Sequence, residues 1–123
     1  MPFHNPLDEE KEHKNVASKE KQGVITEDET MAASLAVKLF AEFLGAFLLV
    51  VSIMASGGNF LIVGATLAVL IFLLGGISNA NLNPAISAAM YYSGSLNGAN
   101  FLLYSIIQLL GGFAAAWAYS VVA

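Results

Sequence analysis

The sequence has no cysteine and no arginine, and beyond Glu42 it has no charged side chain at all. Without cysteine there are no disulfides and no thiolate metal sites. Without charge across residues 43–123, the main body cannot present the interspersed polar surface that a soluble domain needs. Every Lys, Asp and Glu lies at or before position 42, so the net charge of −4 belongs to the N-terminal tail, Lys38 and Glu42 cancelling. That distribution carries no signal for nucleic acid, and no such partner is expected. No nucleophile–base pair or metal-ligand set survives in the apolar part, so neither an enzyme nor a cofactor is expected. What remains is hydrophobic: 57% of the chain, most of it in runs suited to a lipid bilayer.

The first thirty residues do not resemble a secretory signal, which needs a basic end and an apolar core. The stretch PLDEEKEHKNVASKEKQG is charged throughout and poor in large apolar residues. Such a composition buries too little surface to offset ordering entropy, so residues 1–30 are read as a solvated, disordered acidic tail. His4 and His13 sit among its carboxylates without any recurrent ligand spacing, and are read as solvated.

Three apolar stretches follow, Leu35–Ala55, Phe60–Ser78 and Phe101–Ala123. Each offers the roughly 20 helical residues that cross a hydrocarbon core of about 30 Å. Thr26-Glu27-Asp28-Glu29 fits a capping box, with Thr26 capping and Glu29 reaching back, so the first helix is expected to begin in the interface. Between the second and third stretches, Asn83 is a good cap and Pro84 a favoured first helical residue. Pro84–Tyr92 can then make about two turns, far short of a span. A short capped helix beside full spans implies a re-entrant segment, which survives at membrane depth only where protein or water surrounds it. The expected fold is an all-α membrane protein of three transmembrane helices plus one re-entrant half-helix, occupying residues 31–123.

Small residues four apart occur on all three spans: Ala41 and Gly45, Gly64 and Ala68, Gly111 and Ala115. Such pairs let helix backbones approach closely. Glu42 is the only acid inside the apolar region, and a carboxylate there needs partners. The unpaired N–H groups around residues 79–81 are the expected donors. Lys38, one turn earlier, is read as an interfacial snorkelling lysine. Gln108 is expected to pair with a neighbouring helix or with the re-entrant segment. Trp117, Tyr119 and Tyr104 are read as interface anchors.

The stretch NANLNPAIS, residues 79–87, places three amides and a proline directly after the second span. A helix starting at Pro84 points unsatisfied N–H groups and a positive dipole end at the bilayer centre. Asn83 adds an amide donor there, and the carbonyls of the non-helical residues before it become acceptors. Donors and acceptors along an apolar wall suit a water column, while the positive end repels protons and cations.

These residues resemble a known family. Ala41-Glu42-Phe43-Leu44-Gly45 resembles the AEFxGT opening of aquaporins and glycerol facilitators, the major intrinsic proteins. Residues 76–87 resemble that family's GHISGAHLNPAVT, and Gln108-Leu109-Leu110-Gly111-Gly112 resembles the QLLGA of its third span. The resemblance covers about residues 32–123. It implies that Asn83 donates to water at the pore centre, with Pro84 and Ala85 seating the half-helix. It implies that the carbonyls of Asn79, Ala80 and Asn81 line one side of the pore, and that Glu42 holds the loop. Val63 falls at a selectivity-filter position that is usually aromatic, and its smaller side chain would widen a filter. Three positions depart from the pattern: the family's GAH is Asn79-Ala80-Asn81, and the first-span Thr is Ala46.

The resemblance is to the first half of the family's fold. A complete member has six spans and two NPA segments, the second half supplying a filter arginine that this sequence lacks. The expected function is therefore a half-channel component, passing water or small neutral solutes when paired with a second half. The alternative is a non-conducting structural subunit of a larger assembly. The second half could be another chain or an antiparallel copy of this one, and a fragment of a longer channel is also open. Lysines only at Lys38 and in the tail favour a cytosolic N-terminus, which argues against dual insertion.

Overall fold

A computed structural model describes residues 6–21 and 27–123, with side-chain surroundings for 6–15 and 35–123. The chain divides into two units, Met1–Ser34 and Leu35–Ala123. Helix α1, Pro6–Lys21, lies in the first, with Asp8 and Glu9 in its first turn, where they suit the helix dipole. Its described side chains, His13 among them, are exposed. Lys14 pairs with Glu10 one turn earlier. Local propensity and such i,i+4 pairing account for a helix where composition argued for disorder, since neither requires a core. Thr26 and His4 lie outside the described residues.

The second unit is all-α. Helix α2 runs Glu27–Ser56, α3 Phe60–Ser78, α4 Pro84–Tyr92 and α5 Gly98–Val122. Three segments, Leu35–Ser56, Phe60–Ser78 and Gly98–Val122, are long and apolar enough to cross a membrane. The 9 residues of α4 rise only about 14 Å, less than half of a hydrocarbon core. The protein is thus three membrane-crossing helices and one half-helix.

Asparagines punctuate the bundle. Between α2 and α3 the chain turns through Gly57 and Gly58, both at positive φ. Asn59 then caps α3 by accepting from the Leu61 and Ile62 N–H groups at 3.0 and 3.2 Å. Asn79 closes α3 in the left-handed conformation (φ 71°), its N–H donating to Gly75 O. Asn97 caps α5 through the Asn100 N–H at 2.8 Å. This cap starts α5 at Gly98, three residues before the apolar run from Phe101 that marks the span in the sequence; hydropathy is blind to a polar capping turn.

The helices meet through small residues. A Cβ on Gly111 would lie 2.7 Å from Phe43 O and 3.2 Å from Ala46 Cβ, so α5 packs against the α2 backbone itself. Gly45 lies under the Leu82 and Leu74 side chains, and Leu82 joins Leu70 and Ala80 in a small apolar core. Gly64, by contrast, has open space around it. Tyr91 of α4 stacks on Phe101 of α5, ring centroids 5.1 Å apart. Large apolar side chains such as Phe60, Phe72, Phe113 and Trp117 face outward, as expected when the surroundings are hydrocarbon.

Candidate functional site

Residues 79–83 bridge α3 and α4 without regular structure. Asn79, Ala80 and Leu82 all have positive φ, at 71°, 48° and 62°. Left-handed backbone is costly for residues with a Cβ, so something must hold three such residues in a row of four. The Glu42 carboxylate does so. Its Oε1 accepts from the Asn81 N–H at 3.0 Å and from Ser78 Oγ at 2.8 Å. Its Oε2 accepts from the Leu82 N–H at 2.6 Å and from Gln108 Nε2 at 2.9 Å. A carboxylate has about four lone-pair sites, and each is matched by a donor. Glu42 is wholly buried, and this saturation is what makes its burial tolerable.

The expected donors around residues 79–81 are in part engaged elsewhere. The Asn79 N–H completes α3, and the Ala80 N–H donates to Ser78 Oγ at 3.2 Å. Gln108 extends the network into α4: its Nε2 also donates to Ser87 Oγ at 2.9 Å, and Ser87 Oγ donates to Gln108 Oε1 at 3.1 Å. Asn81 Nδ2 donates to Ser87 Oγ at 3.3 Å. Glu42, Ser78, Asn81, Ser87 and Gln108 are all buried. Together they tie α2, α3, the 79–82 segment, α4 and α5.

Three members of this site do not stand out in the sequence. Ser78 and Ser87 are small polar residues in apolar helices, and only their neighbours reveal them; the available signal is that Ser87 lies one turn after the Asn83 cap. Tyr104 is corrected from an interface anchor to an interior residue. It is 2% exposed, and its hydroxyl donates to Ser78 O at 3.0 Å, satisfying a carbonyl at the end of α3. Trp117 is 70% exposed and Tyr119 half-buried.

At the start of α4, Asn83 Oδ1 accepts from the Ala85 N–H at 2.8 Å, and Pro84 occupies the first helical position. Because an N–H points at the side chain, the amide must present its oxygen inward. Asn83 Nδ2 is left as a donor without a partner among the described residues, and Asn83 is exposed. The carbonyls of Asn79, Ala80 and Asn81 also accept no hydrogen bond among the described residues. Val63 is half-buried on α3. It lies fifteen residues before Ser78, about 22 Å along the helix, so the structure does not gather it with the Asn83 segment. No group of three or more metal-ligating side chains occurs among the described residues.

The family model described as "Major intrinsic protein" matches residues 58–123, a range that holds α3, the Asn83 half-helix and α5. The chain belongs to the major intrinsic protein family. Glycerol uptake facilitator protein-like 6 of Lactiplantibacillus plantarum is 33% identical over 87 residues, covering 64% of this chain and 40% of that protein. The probable aquaporin AqpM of Archaeoglobus fulgidus is 34% identical over 97 residues, covering 69% of this chain and 39% of its own length. Aquaporin-10 of Homo sapiens is 39% identical over 98 residues, covering 68% and 33%. The chain thus spans less than half the length of these major intrinsic proteins. No solved structure matches it.

Proposed function

We propose that the chain is one half of a membrane channel that passes water or small neutral solutes once a second half faces the start of α4. The observation that carries this reading is the orientation of Asn83. Its oxygen is consumed by the Ala85 N–H, so its Nδ2 donor points away from α4, beside carbonyls that have no partner. Asn83, Pro84 and Ala85 then mark the centre of the pathway. The carbonyls of Asn79, Ala80 and Asn81 form one wall, and Val63 holds a widened filter position. Glu42 and Gln108 brace the loop. Residues 31–123 form the half-domain, and 1–30 a solvated extension on the cytosolic side, the orientation that Lys38 and the tail lysines favour. Relatives named for glycerol uptake and as aquaporins support water and small polyols as the solute class.

The competing reading, a structural subunit without flux, draws on the brace of five buried polar side chains, which would hold the bundle together with or without a pathway. Accessibility separates the two. The chain has no cysteine, so Ala85→Cys creates a single thiol beside Asn83. In native membranes, a charged, membrane-impermeant thiosulfonate reagent labels that thiol if a water path reaches it. No labelling until detergent is added would favour the structural subunit and overturn the channel.

A further inference from the structure

A recess of about 300 Å³ lies between the 79–82 segment and the turn joining α4 to α5, lined by Asn79, Asn81, Met90, Ser95 and Leu96. Its polar groups are not randomly oriented. The direction of each amide can be followed outward from Glu42, which only accepts from the groups around it. Glu42 Oε2 therefore requires Gln108 to present Nε2. That places Gln108 Oε1 where it takes the single Ser87 hydroxyl proton. Having donated that proton, Ser87 Oγ can only accept from Asn81, so Asn81 must turn its Nδ2 inward. The Asn81 oxygen then has no donor among the described residues. It is nonetheless not enclosed, because Ser105 Oγ is the one buried, unpartnered side-chain polar atom among them. The Asn81 oxygen opens on the recess that its residue lines. The carbonyls of Asn79, Ala80 and Asn81 next to it are also without donors.

We infer that this recess is a binding subsite for a small neutral solute rich in hydrogen-bond donors, a polyol, and that Asn81 is its specificity-determining residue, oriented by the Glu42–Gln108–Ser87 relay. The inference rests on the proposed channel reading for its place along a pathway, but the subsite stands or falls on binding alone. An acceptor-rich wall selects molecules that donate. Solutes that only accept would leave the Asn81 oxygen and the free carbonyls unpaired and desolvated, which is how a polar site rejects the wrong ligand. The relay matters because an amide free to turn would offer donor and acceptor alike and lose that preference. Ser87 is accordingly a positioning residue, acting on the solute only through Asn81.

The test uses the full chain in lipid nanodiscs, with ¹⁵N-labelled asparagine side chains followed by NMR. Glycerol is the donor-rich probe, and dimethyl sulfoxide the acceptor-only probe of similar size. The inference predicts that glycerol shifts the Asn81 and Asn79 amide signals saturably while dimethyl sulfoxide does not. In Ser87→Ala, the Asn81 amide protons should exchange faster with water and the preference for glycerol should be lost. Asn81→Leu, with unchanged Trp117 indole signal as the check on folding, should abolish the shift at Asn79. No saturable shift with glycerol, or equal shifts with both probes, would overturn the subsite whatever the flux measurements give. Binding without flux would instead overturn the channel reading and leave the subsite standing.

Discussion

The Leu82 N–H donates to Glu42 Oε2 at 2.6 Å across 40 positions of sequence. This bond joins the interior of the first span to the last left-handed residue before the half-helix. Together with the Asn81 N–H on Oε1, it fixes the path by which the chain leaves α3 and enters α4. The direction of the Asn83 amide therefore depends on an acid carried by a different helix.

Removing that acid should be costly. In Glu42→Ala, two buried backbone N–H groups and two side-chain donors lose their acceptor, and leaving such groups unpaired costs roughly 2–5 kcal/mol in all. Glu42→Gln keeps one oxygen but sets an NH₂ group against a donor, so an intermediate loss is expected. Unfolding by sodium dodecyl sulfate in mixed micelles, followed by Trp117 fluorescence, measures both; Glu42→Ala as stable as wild type would refute the brace.

The glycines should divide by environment. At Gly111 an added Cβ meets Phe43 O at 2.7 Å, and backbone cannot move aside as a flexible side chain can. Gly111→Ala should lose about 1–3 kcal/mol as α2 and α5 are forced apart. Gly64→Ala meets open space and should be neutral, or gain up to about 1 kcal/mol from helix propensity. The same unfolding assay compares them, and equal losses would contradict the packing described.

Tyr104→Phe should be mild. It deletes one donor to Ser78 O and keeps the ring, so a loss of about 0.5–1.5 kcal/mol is expected. A double-mutant cycle with Glu42→Ala should show coupling, since both changes act on the end of α3 through Ser78. Strict additivity would show the two contacts to be independent.

These tests bear on what the sequence makes legible. Helix ends are local and chemical: Asn59, Asn83 and Asn97 each cap the helix that follows, and Pro84 marks the start of the half-helix. The need of Glu42 for donors also follows from an acid in an apolar span. Which N–H groups reach it does not, because that depends on three left-handed residues that turn the Asn79 and Ala80 N–H groups elsewhere. Tyr104 shows a similar limit. An aromatic near the end of a span suits a membrane interface by composition, and only the position of the Ser78 carbonyl draws its hydroxyl inward. Ser87 is legible as a polar residue and illegible as a relay, since the relay exists only where α4 and α5 meet.

The central claim is that the unpaired Asn83 donor serves a solute pathway. Osmotic swelling of vesicles made from membranes containing the chain and its native partners, timed by light scattering, tests it most directly. Three proteins are compared at matched density: wild type, Asn83→Asp and Asn83→Leu. Asn83→Asp keeps the cap oxygen for the Ala85 N–H and loses only the outward donor; Asn83→Leu loses both, at a capping cost of about 1 kcal/mol. The account predicts swelling above the empty control for wild type, and loss of that excess in both variants with insertion intact. Wild-type swelling equal to the control, or full swelling in Asn83→Asp, would contradict it.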